Sequence, residues 1–407
     1  MKVGSTKLHY GWYIVLASFL ILLLNSGARY VFGVAFKSMG SEFGWGRAAL
    51  SGVFSVNMAL FAIALLFTGR FYDKYGPKGV LAISSFLLSL GFVGTALCRG
   101  FWSFFVFYGI ISALGFSGPS IPLVSTLVSK WFHEKKGLAV SIALSGGALG
   151  QFLLSPLSGV LVEAYGWRIC FIAIGLLTLV VNLPLVFLVI RGDPHDLKLR
   201  PYGTLAKETV SGAVGGLNLS QALRTPSLWA FMTMMFICGA GDFFSTTHLV
   251  PMATDQGIST IKASMMLGWY GLLSLGGLLI AGPVADALGC RLPIMVTFGI
   301  RVFTFVLLMS EKSYWSFLSF SLVFGFTHLV TAPLTPVLAS KLYGTRNLGL
   351  ITGLINTLHF LGGSLMAYLG GLIFDKTQSY QLALAIMALA SGTAVLWTYL
   401  IEEEAKS

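Results

Sequence analysis

Charge is what this chain has least of. Asp, Glu, Lys and Arg make up 10% of its 407 residues while 56% are hydrophobic; soluble domains carry roughly 25% charged residues. So little polar surface cannot cover a water-facing body, which places the chain in a bilayer. Its four cysteines, Cys98, Cys170, Cys238 and Cys290, lack the paired spacing of a zinc site or a disulfide framework. A Walker pattern is missing, which removes ATP as an energy source. Neither clustered metal ligands nor an activated nucleophile occur, so no enzyme, no metal and no cofactor is expected. A cleavable signal is also missing, because the first apolar run is too long and has no small-residue cleavage site.

Long apolar runs are what the chain has in plenty. A helix needs about 20 residues to cross roughly 30 Å of hydrocarbon. Runs of that order lie near 10–36, 47–70, 79–98, 102–128, 138–163, 168–190, 228–251, 262–283, 292–310, 314–340, 349–374 and 380–400. The expected fold is an all-α membrane protein with twelve transmembrane helices in two pseudo-symmetric six-helix bundles. Residues 1–190 and 226–407 would form the bundles, and the polar, Gly-containing interval 191–225 a cytoplasmic linker. Most Lys and Arg fall in segments on the side of the two chain ends, so both termini are expected in the cytoplasm of a plasma-membrane protein. The net charge of +11 then belongs to that inner face and implies no nucleic-acid partner.

The chain also repeats itself. Gly69, Asp73, Gly76 and Lys78 recur 213 residues later as Gly282, Asp286, Gly289 and Arg291. At the same offset Glu42-Phe43-Gly44 meets Asp255-Gln256-Gly257, and Trp102-Ser103-Phe104 meets Trp315-Ser316-Phe317. Internal duplication is the signature of a carrier whose halves rock about a central site. In each loop the glycines allow tight turning. The aspartate is expected to accept hydrogen bonds from a neighbouring helix N-terminus and so to latch one arrangement of the halves. Gly146 and Gly150, four apart in an apolar run, read as a helix contact.

These loops resemble the signature of the major facilitator superfamily, and the resemblance spans essentially the whole chain. More narrowly, His9-Tyr10-Gly11-Trp12, Glu42-Phe43-Gly44-Trp45, Lys130-Trp131-Phe132, Gly166-Trp167-Arg168 and Phe374-Asp375-Lys376-Thr377 look like the bacterial branch of monocarboxylate transporters and oxalate/formate antiporters. The resemblance implies alternating access, with spans 1, 2, 4, 5, 7, 8, 10 and 11 lining a cavity and spans 3, 6, 9 and 12 outside it. Many carriers of the branch hold a substrate-pairing arginine on span 8; here that position is Leu278, and the acid four residues before it is Ser274.

Ionisable groups inside spans are expensive and face a cavity or a partner. Arg29, Asp242, Arg301, His328 and His359 are such groups, and Asn356 shares a helix face with His359. Arg29 and Asp242 differ by 213, so they are expected to meet across the axis between the halves, with snorkelling of Arg29 to the outer headgroups as the competing reading. Arg301 is expected to point inward toward span 8 or 10, and Arg29 or Arg301 to replace the missing span 8 cation. Asp242 or a histidine would carry a proton. Asn25, Asn57, Ser117 and Tyr270 are candidates for the route, and His248 for outer packing or a gate. Trp12, Trp45, Trp102, Trp131, Trp167 and Trp315 near span ends read as interfacial anchors.

The function expected is secondary transport of a small organic anion, a monocarboxylate first, by alternating access with proton symport or anion exchange. A proton-coupled exporter of a neutral or cationic compound and a non-transporting membrane receptor are the alternatives. Protons or a counter-anion, the substrate and the lipid bilayer are the expected partners; oligomeric state is not legible.

Overall fold

A computed structural model describes residues 9–203, 216–344 and 346–401. Among them, eleven helices are long and apolar enough to cross a bilayer. One, Arg47–Leu97, contains two spans, because Gly76 sits at φ 71° and ψ 173° inside it. We number the spans α1 (Tyr10–Phe43), α2 and α3 (the two arms of Arg47–Leu97), α4 (Phe101–Trp131), α5 (Lys136–Tyr165), α6 (Trp167–Val189), α7 (Pro226–Asp255), α8 (Thr260–Leu288), α9 (Arg291–Ser310), α10 (Tyr314–Tyr343), α11 (Leu348–Thr377) and α12 (Gln381–Tyr399). Successive spans run in opposite directions, so the start of α1 and the end of α12 lie on one face, here the terminal face, opposite a far face. Ile83 on α3, Val180 on α6, Phe303 on α9 and Leu389 on α12 point outward. Such exposure costs nothing against lipid tails.

The repeat is written into the backbone. Gly289 ends α8 at φ 80° and ψ 170°, the conformation of Gly76. Gly44 and Gly257, also 213 apart, take φ 67° and 78°. Side chains with a Cβ rarely adopt positive φ, so the same turn is enforced at the same place in each half. Both fourth spans are interrupted near their middle: α4 between Ser117 and Ile121, α10 between His328 and Thr331. Prolines explain the breaks, Pro119 and Pro122 in one and Pro333 in the other, since proline removes a helix hydrogen bond and clashes with the preceding turn.

Glycines bring the first and fifth spans of each half into backbone contact. A Cβ at Gly146 or Gly150 would fall on the carbonyl of Phe19 or Leu23 of α1. In the second half a Cβ at Gly239 of α7 would fall on the carbonyl of His359, and one at Gly362 of α11 on that of Phe236. The α7–α11 crossing is therefore what sets His359 beside the middle of α7.

The repeated loops differ from their expected form. Asp73 and Asp286 are exposed on the terminal face, and neither makes a hydrogen bond or ion pair with a described residue. A Cβ at Gly69 or Gly282 would meet nothing within 4 Å. The hydrogen bonds and ion pairs described between the two halves lie elsewhere, and none of them involves either aspartate. Two of the tryptophans are also corrected. Trp102 and Trp315 are 75% and 71% exposed, as anchors should be, but Trp131 and Trp167 are buried. Their ring N–H groups donate to the Arg191 carbonyl at 3.2 Å and to Glu42 Oε2 at 2.6 Å.

The interval after α6 is docked at both ends. Asp193 caps the short turn Pro194–Leu197, and the His195 backbone N–H and ring, bonded to it, hold its carboxyl below the usual range. Tyr202 packs against Phe132, and Asn347 Nδ2 donates to the Leu217 carbonyl at 3.2 Å. Most of the Gly-rich piece at Gly212 to Gly216 lies outside the described residues.

Candidate functional site

Asp242 lies near the middle of α7 and is 2% exposed, where a lone carboxylate would be costly. Its partner is Arg301 of α9, whose Nη2 stands 2.9 Å from Asp242 Oδ1 and whose side chain is 1% exposed. The other guanidinium donors reach the Thr327 carbonyl at 3.2 Å, Thr327 Oγ1 at 3.3 Å, and the Cys238 carbonyl and Sγ at 3.4 Å. Arg301 thus points inward between α7 and α10, away from lipid, and ties three spans together. The Ser245 and Thr246 hydroxyls leave the carboxylate alone; Thr246 Oγ1 donates to the Asp242 backbone carbonyl instead.

Two histidines approach the same carboxylate from the other side. His328 Nδ1 stands 3.1 Å from Asp242 Oδ1, and His359 Nε2 stands 3.8 Å from Oδ2. The Tyr270 hydroxyl of α8 lies 3.0 Å from His328 Nδ1. Both imidazoles keep 13% to 15% of their side-chain surface open, and both border a cavity of about 230 Å³ between the halves. Arg29, Asn25, Asp242 and Asn356 also line it; Arg301 does not. Asn25 Nδ2 reaches the Pro119 carbonyl of the broken α4 at 3.3 Å. Asn57, by contrast, is used inside the first half, donating to the Tyr108 carbonyl at 2.6 Å, and Ser117 bonds to Thr68.

Arg29 does not meet Asp242. Its guanidinium lies 4.0 Å above the Phe61 ring and 4.8 Å from that of Phe116, and among the described residues its one hydrogen bond goes to Met58 Sδ at 3.5 Å. Arg301 has taken the carboxylate because α9 delivers it through the core of the second half, whereas Arg29 approaches across the open cavity. Nor does Arg29 snorkel to the membrane edge. A guanidinium has five N–H donors, and a thioether is a weak acceptor, so this cation faces the cavity with most of its hydrogen-bonding capacity free. With histidines neutral, the charges of Arg29, Arg301 and Asp242 sum to plus one.

Cys238 Sγ, a carboxylate oxygen of Asp242 and a ring nitrogen of His359 lie within 4.8 Å of one another, close enough to suggest metal ligation. The guanidinium of Arg301 already supplies the positive charge there, forming an ion pair with the carboxylate and donating to the Cys238 sulfur. Leu278, at the position where the branch resemblance implies an arginine, lines no part of the cavity.

Between this cavity and the far face the halves are joined. Ser55 Oγ donates to the Ser364 carbonyl at 2.5 Å and Ser364 Oγ returns the bond at 2.8 Å. Gln151 Nε2 donates to the Leu267 carbonyl at 3.1 Å. At the rim, Asp255 pairs with Lys37 at 3.0 Å and with Arg47 at 2.7 Å, while Arg47 also donates to the Tyr380 hydroxyl at 2.8 Å. Asp375 caps α2 from the other half, accepting the Arg47 and Ala48 backbone N–H groups at 2.9 and 2.8 Å. His248 is buried within α7, 3.0 Å from the Tyr380 hydroxyl and 2.8 Å from the Ala367 carbonyl. Burial pushes the Tyr380 hydroxyl's pKa up, keeping it a donor. Sequence reasoning missed this rim, although Asp375 sat in a quoted motif and Asp255 in the repeat.

Duplicated halves of six spans with buried charges around a central cavity define a membrane carrier of the two-bundle kind. The family profile described as Major Facilitator Superfamily matches residues 18–365 and 231–407, and the chain belongs to that family. It is a transporter, not an enzyme. The uncharacterized MFS-type transporter YcxA of Bacillus subtilis (strain 168) is 26% identical over 393 residues, covering 95% of this chain and 93% of that one. Monocarboxylate transporter 11 of Homo sapiens is 26% identical over 399 residues, 95% of this chain and 81% of its own. Among solved structures, a bacterial homolog of the human lysosomal transporter Spinster, inward-facing and unoccupied, superposes with a TM-score of 0.80 at 16% identity, covering 98% of both chains. A D-xylose-proton symporter gives 0.76 at 17% identity over 98% of this chain and 99% of its own.

Proposed function

We propose that this carrier moves a small organic anion, a monocarboxylate first, with Arg29 as the group that attracts it. The observation that carries the reading is a cavity-facing guanidinium with no carboxylate partner beside an Asp242 already neutralised by Arg301. A net positive cavity suits an anion and disfavours the cationic cargo of the exporter reading. The relatives named monocarboxylate transporters point the same way.

Coupling to protons is assigned to His328, with His359 beside it. Asp242 is already paired with Arg301, and the His328 imidazole sits between that carboxylate, the Tyr270 hydroxyl and the cavity.

The halves, residues 1–190 and 226–407 joined by 191–225, would rock about the cavity in a plasma membrane, both termini cytoplasmic. On that orientation, the cross-half bonds clustered between the cavity and the outer face support a state open to the cytoplasm. Gly69, Asp73, Gly76 and Lys78, with Gly282, Asp286, Gly289 and Arg291, would latch the terminal face in the opposite state, when those ends close.

Uptake of a carboxylate panel into proteoliposomes under an imposed pH gradient tests this. Accumulation in empty vesicles that are acidic outside is the expected result, and a strict need for internal anion would replace symport by exchange. Transport of cations with no carboxylate moved would overturn the reading, and ligand binding without transport would make the chain a receptor.

A further inference from the structure

The cavity says more about its cargo than the sign of its charge. Arg29 is not merely near aromatic rings; its planar face is covered by Phe61 at 4.0 Å and flanked by Phe116 at 4.8 Å. With the face occupied, the in-plane edge is what remains for a ligand, and that edge matches a carboxylate's two oxygens. The wall continues apolar into the second half. Phe360 of α11 meets Phe61 edge-on at 5.0 Å between ring centres and approaches Phe243 at 5.8 Å. All four rings border the cavity, and His359 packs edge-on against Phe360 at 5.4 Å. Polar groups able to bond a substituent line it on both sides, Asn25, Ser26 and Tyr30 beside Arg29 on its own span and His328 and Asn356 in the other half.

A short hydrophilic acid placed at Arg29 would surrender its hydration to phenyl walls that return no hydrogen bonds. A carboxylate attached to a ring would keep the ion pair and bury its apolar body against those walls, where edge-to-face geometry is favoured. We propose that the cargo is an aryl-substituted monocarboxylate, its carboxylate on the edge of Arg29 and its ring against Phe61, Phe116 and Phe360. This rests on Arg29 as the anion-binding group. It also gives the ring a mechanical part: Phe61 and Phe360 belong to different halves, so an aryl body touching both spans the interface that must rearrange.

Initial uptake rates in proteoliposomes of the full chain, corrected with protein-free vesicles, would compare phenylpyruvate with pyruvate and phenylacetate with acetate. A pocket that recognises the apolar body should give each aryl acid a KM at least about ten-fold below its short counterpart, since even one methylene is worth roughly that much. Phe61→Ala and Phe360→Ala should collapse the ratio toward one, whereas Arg29→Gln should raise KM for both members of a pair. Phe61→Leu keeps bulk but removes the ring and should also reduce the ratio; its unfolding temperature in detergent separates this from lost folding. Short acids carried as well as aryl acids would overturn the inference and leave the carboxylate reading standing. If no carboxylate of either set moves, the carboxylate reading falls with it.

Discussion

Asp242, Arg301, His328 and His359 stand out in the sequence because an ionisable group inside an apolar span has few ways to persist. Their pairing was not legible. The offset of 213 joined Arg29 to Asp242, but symmetry of sequence position says nothing about which neighbouring helix delivers a competing cation, and α9 delivers Arg301 at 2.9 Å. Phe61 and Phe116 were hidden for a different reason: 32 phenylalanines make any one of them uninformative until the fold brings it to a charge. The ion pair makes a sharp stability prediction. Arg301→Gln leaves Asp242 buried and unpaired, and breaking such a pair costs about 3–5 kcal/mol. The double variant Asp242→Asn with Arg301→Gln should recover most of that loss in a double-mutant cycle read by unfolding in detergent. Additive losses would mean the two groups are stabilised separately.

At the scale of helices, the sequence was most readable where length and period carried the signal, and all twelve spans were placed. It was least readable where one helix was broken. The interruptions of α4 and α10 follow from Pro119, Pro122 and Pro333, yet proline inside a span bends some helices and unwinds others. The glycine contact of the first half was legible as small residues four apart on α5. Two substitutions on the second half separate contact from propensity. Gly239→Ala forces a methyl onto the His359 carbonyl, and overpacking costs about 1–3 kcal/mol. Gly353→Ala, where a Cβ meets nothing within 4 Å, should be neutral or slightly stabilising. The unfolding temperature should therefore fall for Gly239→Ala and hold or rise for Gly353→Ala; an equal fall in both would refute the crossing.

Across the whole molecule, every hydrogen bond and ion pair described between α1–α6 and α7–α12 lies level with the cavity or toward the far face. The Gly-Asp-Gly-basic loops carry none. That part of the duplication thus pointed to machinery at one face, while the contacts that hold this state sit at the other, where Asp255 lies in the repeat but its partners Lys37 and Arg47, and Asp375, do not. Arg47→Gln combined with Asp375→Asn should release the far face. Spin labels on Arg99→Cys and Lys312→Cys should then report a longer far-face distance in a larger share of molecules, and an unchanged distribution would show that the rim does not hold the state.

The affinity of one carboxylate for the intact chain and for Arg29→Gln, Arg29→Lys and Arg301→Gln, measured in detergent by calorimetry, tests the central claim most directly. If Arg29 is the anion-binding group, Arg29→Gln loses affinity by about 1.5–3 kcal/mol, the worth of a charged hydrogen bond, and Arg29→Lys recovers part of it. Folded Arg301→Gln should retain more affinity than Arg29→Gln, because Arg301 lies behind the carboxylate and outside the cavity. Undiminished binding by Arg29→Gln would contradict the account.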